Sequence, residues 1–186
     1  MAAVPRREFV DPALADRAED NEPLPIGEGQ TISQPLVVAL MAQALELDED
    51  DRVLEVGAGC GYAAAVLGRL AAEVHAVEVR GSLARAAAEN LRRAGFANVH
   101  VHHADGTAGW PAAAPYGAIS VAAGASEIPP ALLEQLAPGG RLVMPVGRSP
   151  RRQRLVRVRR GADGEDRLED LGSPVRFVPL VSGGVE

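Results

Sequence analysis

The stretch RVLEVGAGCGYAAAVLGRLAA, residues 52 to 72, decides how the fold is read. RVLEV (52–56) is a short apolar run of the buried-strand type. It enters GAGCG with no polar spacer, and YAAAVLGRLAA reads as helix beyond it. Strand, glycine turn and helix together form the opening unit of a parallel sheet. The pattern continues outward. EVHAVEV (73–79) is a second strand, followed by the helix SLARAAAENLRRAG, which stops at Gly95 as its C-terminal glycine. NVHVHH (98–103) is a third strand and YGAISVAA (116–123) a fourth. PPALLEQLAPGG then reads as a helix with its stop, and RLVMPV (141–146) as a fifth strand. Ahead of all these, PLVVALMAQALEL (35–47) starts with Pro at a helix-opening position and spaces its apolar residues helically. The last two strands, RQRLVRVRR and SPVRFVPL, have no helix between them. The expected fold is α/β and doubly wound: a mostly parallel, Rossmann-like sheet with antiparallel strands added at its C-terminal edge.

The bulk numbers suit one domain, since 186 residues can bury a sizeable core. Aromatics are 3% against 47% hydrophobic residues, so Ala, Val and Leu must fill the interior. Within that domain, residues 1–34 are expected to form a covering segment and 35–186 the ligand-binding body. A net charge of −6 argues against a nucleic-acid partner bound by phosphate neutralisation. The run Arg148 to Arg160 holds seven arginines, but Leu155, Val156 and Val158 interleave with them, as on a strand with one wet face. The single cysteine, Cys60, excludes an internal disulfide and a multi-cysteine zinc site. The start MAAVPRREFVDP has no apolar signal region, and no apolar run approaches the ~20 residues that span a bilayer. The expectation is a cytoplasmic monomer without a membrane partner.

In doubly wound sheets the ligand lies at the carboxyl ends of the strands, where strand order reverses. Gly57, Gly59 and Gly61 follow the first strand, with Ala58 and Tyr62 in the same turn. The spacing is GxGxG, one residue tighter than the dinucleotide fingerprint GxGxxG. Glu55 stands two residues before the first glycine. A carboxylate there opposes a pyrophosphate and suits a ligand carrying positive charge, which favours S-adenosylmethionine, with its ammonium and sulfonium, over NAD. Glu78, 23 residues after Glu55, closes the second strand, where an acid accepts both ribose hydroxyls. Asp105 follows the third strand and is placed to accept an adenine amino group, with Gly106 beside it. Plainer readings also fit: a solvated strand end for Glu78 and a turn for Asp105-Gly106.

PLPIGEGQTISQP (23–35) packs three prolines and two glycines into a stiff loop, outside any regular element, that also carries apolar Leu24, Ile26 and Ile32. It is either a surface connection or a binding loop. Taken with VLEVGAGCGY, ADGTAGWP, LLEQLAPGGRLVMPVG and VRFVPL, this loop resembles the protein-L-isoaspartate O-methyltransferase family, in order from about Val4 to Val181. The resemblance implies a class I methyltransferase fold. It also implies methyl transfer from S-adenosylmethionine to the α-carboxyl of isoaspartyl residues in damaged proteins and peptides, which are its partners; the product is S-adenosylhomocysteine. The methyl ester then collapses to a succinimide, whose hydrolysis returns some aspartate.

By position, the resemblance makes Ser33 the active-site serine within the cofactor-covering loop Gln30, Thr31, Ile32. Glu55, Gly57, Gly59, Glu78, Asp105 and Gly106 match the cofactor pocket, and Val178, Pro179 and Leu180 a segment near the substrate cleft. Ser33 equally suits a helix N-cap ahead of Pro35. An isoaspartyl carboxylate is ionised at neutral pH, so no strong base is needed; alignment and a dry cleft are. His100 and His102 share one strand face and His103 takes the other, a spacing that does not converge three ligands, so no metal is expected. Cys60 stands where the family usually has serine and is expected to be a small packed residue. Ala104 replaces a usual glycine, and AAGA replaces a usual Thr-Ala-Ala run at the end of the fourth strand. Gly117 replaces a usual aspartate, with loss of a hydrogen bond expected. The helix that usually precedes this segment is expected to be missing.

Overall fold

In the computed structural model, which describes residues 3–183, strands alternate with helices from residue 35 to residue 103 and again from 116 to 146. Any helix ahead of Ala3, and the ends 1–2 and 184–186 of the two expected segments, lie outside the described residues. Two 3₁₀ turns, Arg6–Phe9 and Pro12–Arg17, come first. The loop around residue 28 is not irregular: β1 (Leu24–Gly27) and β2 (Gln30–Ile32) pair as an antiparallel hairpin. Pro and Gly hid it because each strand is too short to show alternation. The turn itself carries Glu28 at φ 52°.

Helix α1 (Pro35–Leu45) has Pro at its first position and buries Val38, Met41, Ala42 and Leu45, one stripe at 3.6 periodicity. Strand β3 (Arg52–Val56) leads through the glycine turn into α2 (Tyr62–Gly68). Strand β4 (Glu73–Glu78), α3 (Gly81–Arg93) and β5 (Val99–His103) complete the first half. The second half runs β6 (Tyr116–Val121), α4 (Pro130–Glu134), β7 (Leu136–Val146), β8 (Gln153–Arg160) and β9 (Asp166–Val175).

These strands form one seven-stranded sheet in the order β5-β4-β3-β6-β7-β8-β9. It is parallel through β7, with β8 and β9 antiparallel, as expected. Neighbouring residues of β3 feed opposite faces: Val53 joins the apolar layer under α1, α2 and α3, whereas Leu54 and Val56 join the layer under α4. Both faces are covered, which is why the central strands read as continuous apolar runs.

Two expected boundaries move. The helix at 129–140 ends at Glu134, because Gln135 turns its amide to Ala108 O (2.8 Å), Ala131 O (2.9 Å) and Trp110 N (2.8 Å). Leu136 then pairs with Tyr116 as strand. The last strand is 166–175 rather than 173–180. Its charged residues are held by β8, through Arg157–Glu169 (2.5 Å) and Arg160–Asp166 (2.9 Å). Residues 177–180 leave the sheet and attach to Gly124, by Gly124 N to Val178 O and Leu180 N to Gly124 O, both 2.8 Å.

Beside Gly117 the space is filled by a carboxylate from elsewhere in the chain. A Cβ at Gly117 would lie 2.1 Å from Asp51 Oδ1, and Asp51 Oδ2 accepts from the buried Arg141 at 2.8 Å. Arg141 also donates to the carbonyls of Leu45, Glu46 and Gly117, tying α1 to β6 and β7.

Candidate active site

Strand β3 lies beside β4 on one side and β6 on the other, so the chain reverses its direction of winding at β3. The crevice at its carboxyl end is the expected ligand position. Beyond Val56 the backbone turns back over β4: Gly57 N and Ala58 N both donate to Val77 O, at 2.8 and 3.1 Å. Gly57 makes that reversal at φ 91°, a left-handed conformation that costs an L side chain strain. Gly106 is required for a different reason, since a Cβ there would stand 2.4 Å from Val56 Cγ1.

These turns bound a cavity of about 400 Å³, within the range of small-ligand sites. Its wall on the sheet side is Glu55, Val56, Gly57, Ala58, Gly59, Cys60 and Tyr62. Val77, Glu78, Val79 and Arg80 form a second side, and the hairpin with Gln30, Thr31, Ile32 and Ser33 a third. Gly106, Ala122, Ala123 and the segment Val178, Pro179, Leu180 and Val181 complete it.

Two acids in this wall differ sharply. Glu55 is fully buried, and among the described residues neither of its oxygens has a hydrogen-bond partner. Burial, then the nearby charge of Glu78, holds its carboxyl well above the usual carboxylate range. Glu78 is satisfied: Oε2 accepts from Gly59 N at 2.9 Å and Oε1 from Arg80 N at 3.0 Å. Each of its oxygens keeps a further lone pair. Cys60 is buried, with its thiol pushed up to about 12 by desolvation, so it is protonated at neutral pH and unsuited to nucleophilic work.

Ser33 faces this cavity from the junction of β2 and α1. The N-cap position of α1 belongs to Gln34, which makes no side-chain cap. A helix-capping role for Ser33 is therefore not what the geometry shows.

The sequence of the family described as Protein-L-isoaspartate(D-aspartate) O-methyltransferase matches residues 1–184. The chain belongs to that family. Protein-L-isoaspartate O-methyltransferase 1 of Geotalea uraniireducens (strain Rf4) is 55% identical over 181 residues, spanning 97% of this chain and 82% of that protein. The protein-L-isoaspartate O-methyltransferase of Anaeromyxobacter dehalogenans (strain 2CP-1) is 56% identical, over 97% of this chain and 86% of its own. A solved protein-L-isoaspartate O-methyltransferase superposes with a TM-score of 0.80 at 32% identity, over 97% of this chain; this chain spans 59% of its length. A Plasmodium falciparum structure of the same description, in complex with S-adenosyl-L-homocysteine, gives 0.80 at 23% identity, over 98% of this chain and 88% of that one, and shows the shared fold.

Of the isoaspartate methyltransferase positions read from sequence, all but two line the cavity. Gly61 faces away from it: a Cβ there would meet Leu91 and the Ala87 carbonyl on α3. Asp105 lies just behind Gly106. Its Oδ1 accepts from Thr107 N (2.8 Å) and Thr107 Oγ1 (2.7 Å), and its Oδ2 from Gly183 N (3.2 Å). Sequence reading did not single out Arg80 or Val181, although Arg80 had a local signal, since it follows Glu78 by two residues; Ala122 and Ala123, which line the cavity, belong to the AAGA run noted at the end of the fourth strand. The histidines lie elsewhere. His102 Nε2 meets His75 Nδ1 at 3.0 Å and stacks on Trp110, while His103 faces the Val79 carbonyl. Among the described residues no group of three or more His, Cys, Asp or Glu side chains is arranged for a metal, and no helix is long and apolar enough to cross a membrane.

Proposed function

We propose that the chain methylates the α-carboxyl of L-isoaspartyl residues in damaged proteins and peptides, using S-adenosylmethionine, with the residues of this one cavity dividing the work. The observation that carries the reading is a buried, unpartnered carboxylate, Glu55, in the same cavity wall as a loop bearing the neutral hydroxyl of Ser33. A buried carboxyl without a partner resists ionisation on its own and ionises readily only beside a cation, so the position disfavours phosphate or pyrophosphate and suits an ammonium. When bound, S-adenosylmethionine supplies the methyl group on a sulfonium, a good leaving group.

The chain's own residues bind, orient and exclude water. Glu55 holds the amino-acid end of the cofactor, and Gly57 to Gly59 let it approach the backbone. Glu78, kept in place by Gly59 N and Arg80 N, offers its remaining lone pairs to the ribose hydroxyls. Asp105, outside the cavity lining but next to Gly106 and tied to Thr107 and Gly183, is given the adenine end by its sequence position and the family resemblance alone. Ser33 donates to the substrate carboxyl, which arrives ionised and needs no base. A hydroxyl orients that group without neutralising it, and alignment with the sulfonium lowers the barrier by several kcal/mol at about the scale known for positioned reactants. Residues 1–34, with the hairpin and the Ser33 loop, act as the covering segment over the body 35–186.

A cytoplasmic monomer that acts without nucleic acid remains the reading; against a phosphate partner stand the net charge of −6 and the arginines of β8, which are engaged by Glu46, Asp166, Glu169 and Asp170. The site assignment is tested with Ser33→Ala. Turnover on an isoaspartyl peptide should fall roughly tenfold or more, while S-adenosylhomocysteine affinity by calorimetry stays within about threefold. Unchanged turnover would remove Ser33 from the mechanism.

A further inference from the structure

Arg6 is 1% exposed, and it contacts carbonyls from two separate parts of the chain. Nη1 donates to Ala18 O at 2.6 Å; Nη2 donates to Glu22 O at 2.8 Å and to Ser33 O at 3.1 Å. Among the described residues no carboxylate forms an ion pair with it; its hydrogen bonds go to backbone carbonyls, and its Nε is buried without one. Taking a cation out of water for such partners is expensive.

That geometry converges on Ser33. Its carbonyl falls between the end of β2 at Ile32 and the start of α1 at Pro35, outside both ladders. Arg6 fixes this peptide against the turn at 18–22. The same turn is stitched to the following residues by Asn21, whose O accepts from Gln34 Nε2 and whose Oδ1 accepts from Leu36 N, both at 3.1 Å. Ser33, which lines the cavity, is thus gripped through its own carbonyl and through its neighbours Gln34 and Leu36.

We propose that Arg6 is a positioning residue for methyl transfer: it holds the Ser33 peptide so that the hydroxyl meets the substrate carboxyl in line with the sulfonium. The proposal rests on the role given to Ser33 above. Arg6 itself touches neither substrate nor cofactor. A displacement of the hydroxyl by ~1 Å is enough to cost up to about a hundredfold in rate.

The test is a double-mutant cycle of Arg6→Lys and Ser33→Ala on an isoaspartyl peptide, with S-adenosylhomocysteine affinity measured for each protein. Lysine keeps the charge but cannot reach three carbonyls in a fixed fork. Arg6→Lys should lower kcat about tenfold with cofactor affinity within about threefold, and the double variant should be no slower than Ser33→Ala within about twofold. Rate losses that multiply in the double variant, or cofactor affinity falling in step with kcat, would show a general structural role and overturn the proposal. A slow Ser33→Ala beside a fast Arg6→Lys would overturn this proposal alone. Full turnover by Ser33→Ala would overturn the Ser33 assignment and this proposal with it. Should Arg6→Lys not fold, Asn21→Ala loosens the same loop from the other tie. It should reduce kcat at least about threefold, an effect absent in the Ser33→Ala background, and unchanged kcat would be the contrary result.

Discussion

Glu55 carries the sharpest trade between stability and function in the molecule. A folded-state carboxyl held above its ordinary 4.5 contributes stability that is fully present below that value and is lost as pH rises through the folded value. At neutral pH and above, the ligand-free protein therefore bears an uncompensated cost, which the ammonium of a cofactor bound as proposed would remove. Glu55→Gln should melt at a higher temperature than the parent at pH 8 without ligand, with the gap closing toward pH 5. With saturating S-adenosylhomocysteine the order should reverse. Affinity of the parent for that ligand should also rise with pH across the same window, because binding favours the ionised form. Thermal melts at the two pH values decide it: identical curves without ligand would mean that Glu55 is solvated or partnered. Glu55 and Glu78 were both legible from their distance to the glycines. Arg6 was not, because an arginine that bonds to backbone carbonyls leaves no mark in residue type or spacing.

Among the elements, the β1–β2 hairpin buries Leu24 and Ile32 in the core and leaves its turn at the surface. Its turn residue Glu28 reaches the start of α3, accepting from Ser82 Oγ at 2.8 Å and facing Arg80 at 3.7 Å, while Ile26 Cδ1 lies 3.1 Å from where a Cβ on Gly59 would be. The hairpin therefore closes over the glycine turn through an exposed latch, and such contacts contribute about 0.2–1 kcal/mol. Glu28→Ala should raise the S-adenosylhomocysteine dissociation constant about two- to fivefold with the melting temperature nearly unchanged. Salt near 1 M should produce a similar loss in the parent and little in the variant. Equal affinities in low salt would remove the latch. The alternating elements of residues 35–146 were readable because both sheet faces are covered and each strand is apolar. Strand β9 was not: its Asp166, Glu169 and Asp170 face solvent and arginines of β8, so its place is set by partners distant in sequence. The apolar Phe177 to Leu180 drew the strand assignment toward themselves, although Phe177 packs in the core and Val178 to Leu180 line the cavity.

At the scale of the whole molecule, Arg141 and Asp51 join the first helix to the middle of the sheet, and Gly117 leaves them room. Gly117→Asp should destabilise the fold by about 2 kcal/mol or more, since it places a second carboxylate on space already filled. Adding Asp51→Ala should recover much of that loss, and denaturant melts giving additive effects would refute the exchange. Sequence comparison by residue type saw only a missing side chain at 117, because its replacement comes from a loop 66 residues earlier. The central claim is that one rigid cavity aligns the isoaspartyl carboxyl, and only that carboxyl, with the sulfonium. In isoaspartate the chain runs through the side-chain carbonyl, so the free carboxylate lies one methylene nearer the backbone than in aspartate. The deciding measurement is labelled methyl transfer from S-adenosylmethionine to matched peptides differing only in that linkage. The isoaspartyl peptide should be methylated at least ~100-fold faster, and comparable rates on the two peptides would contradict the account.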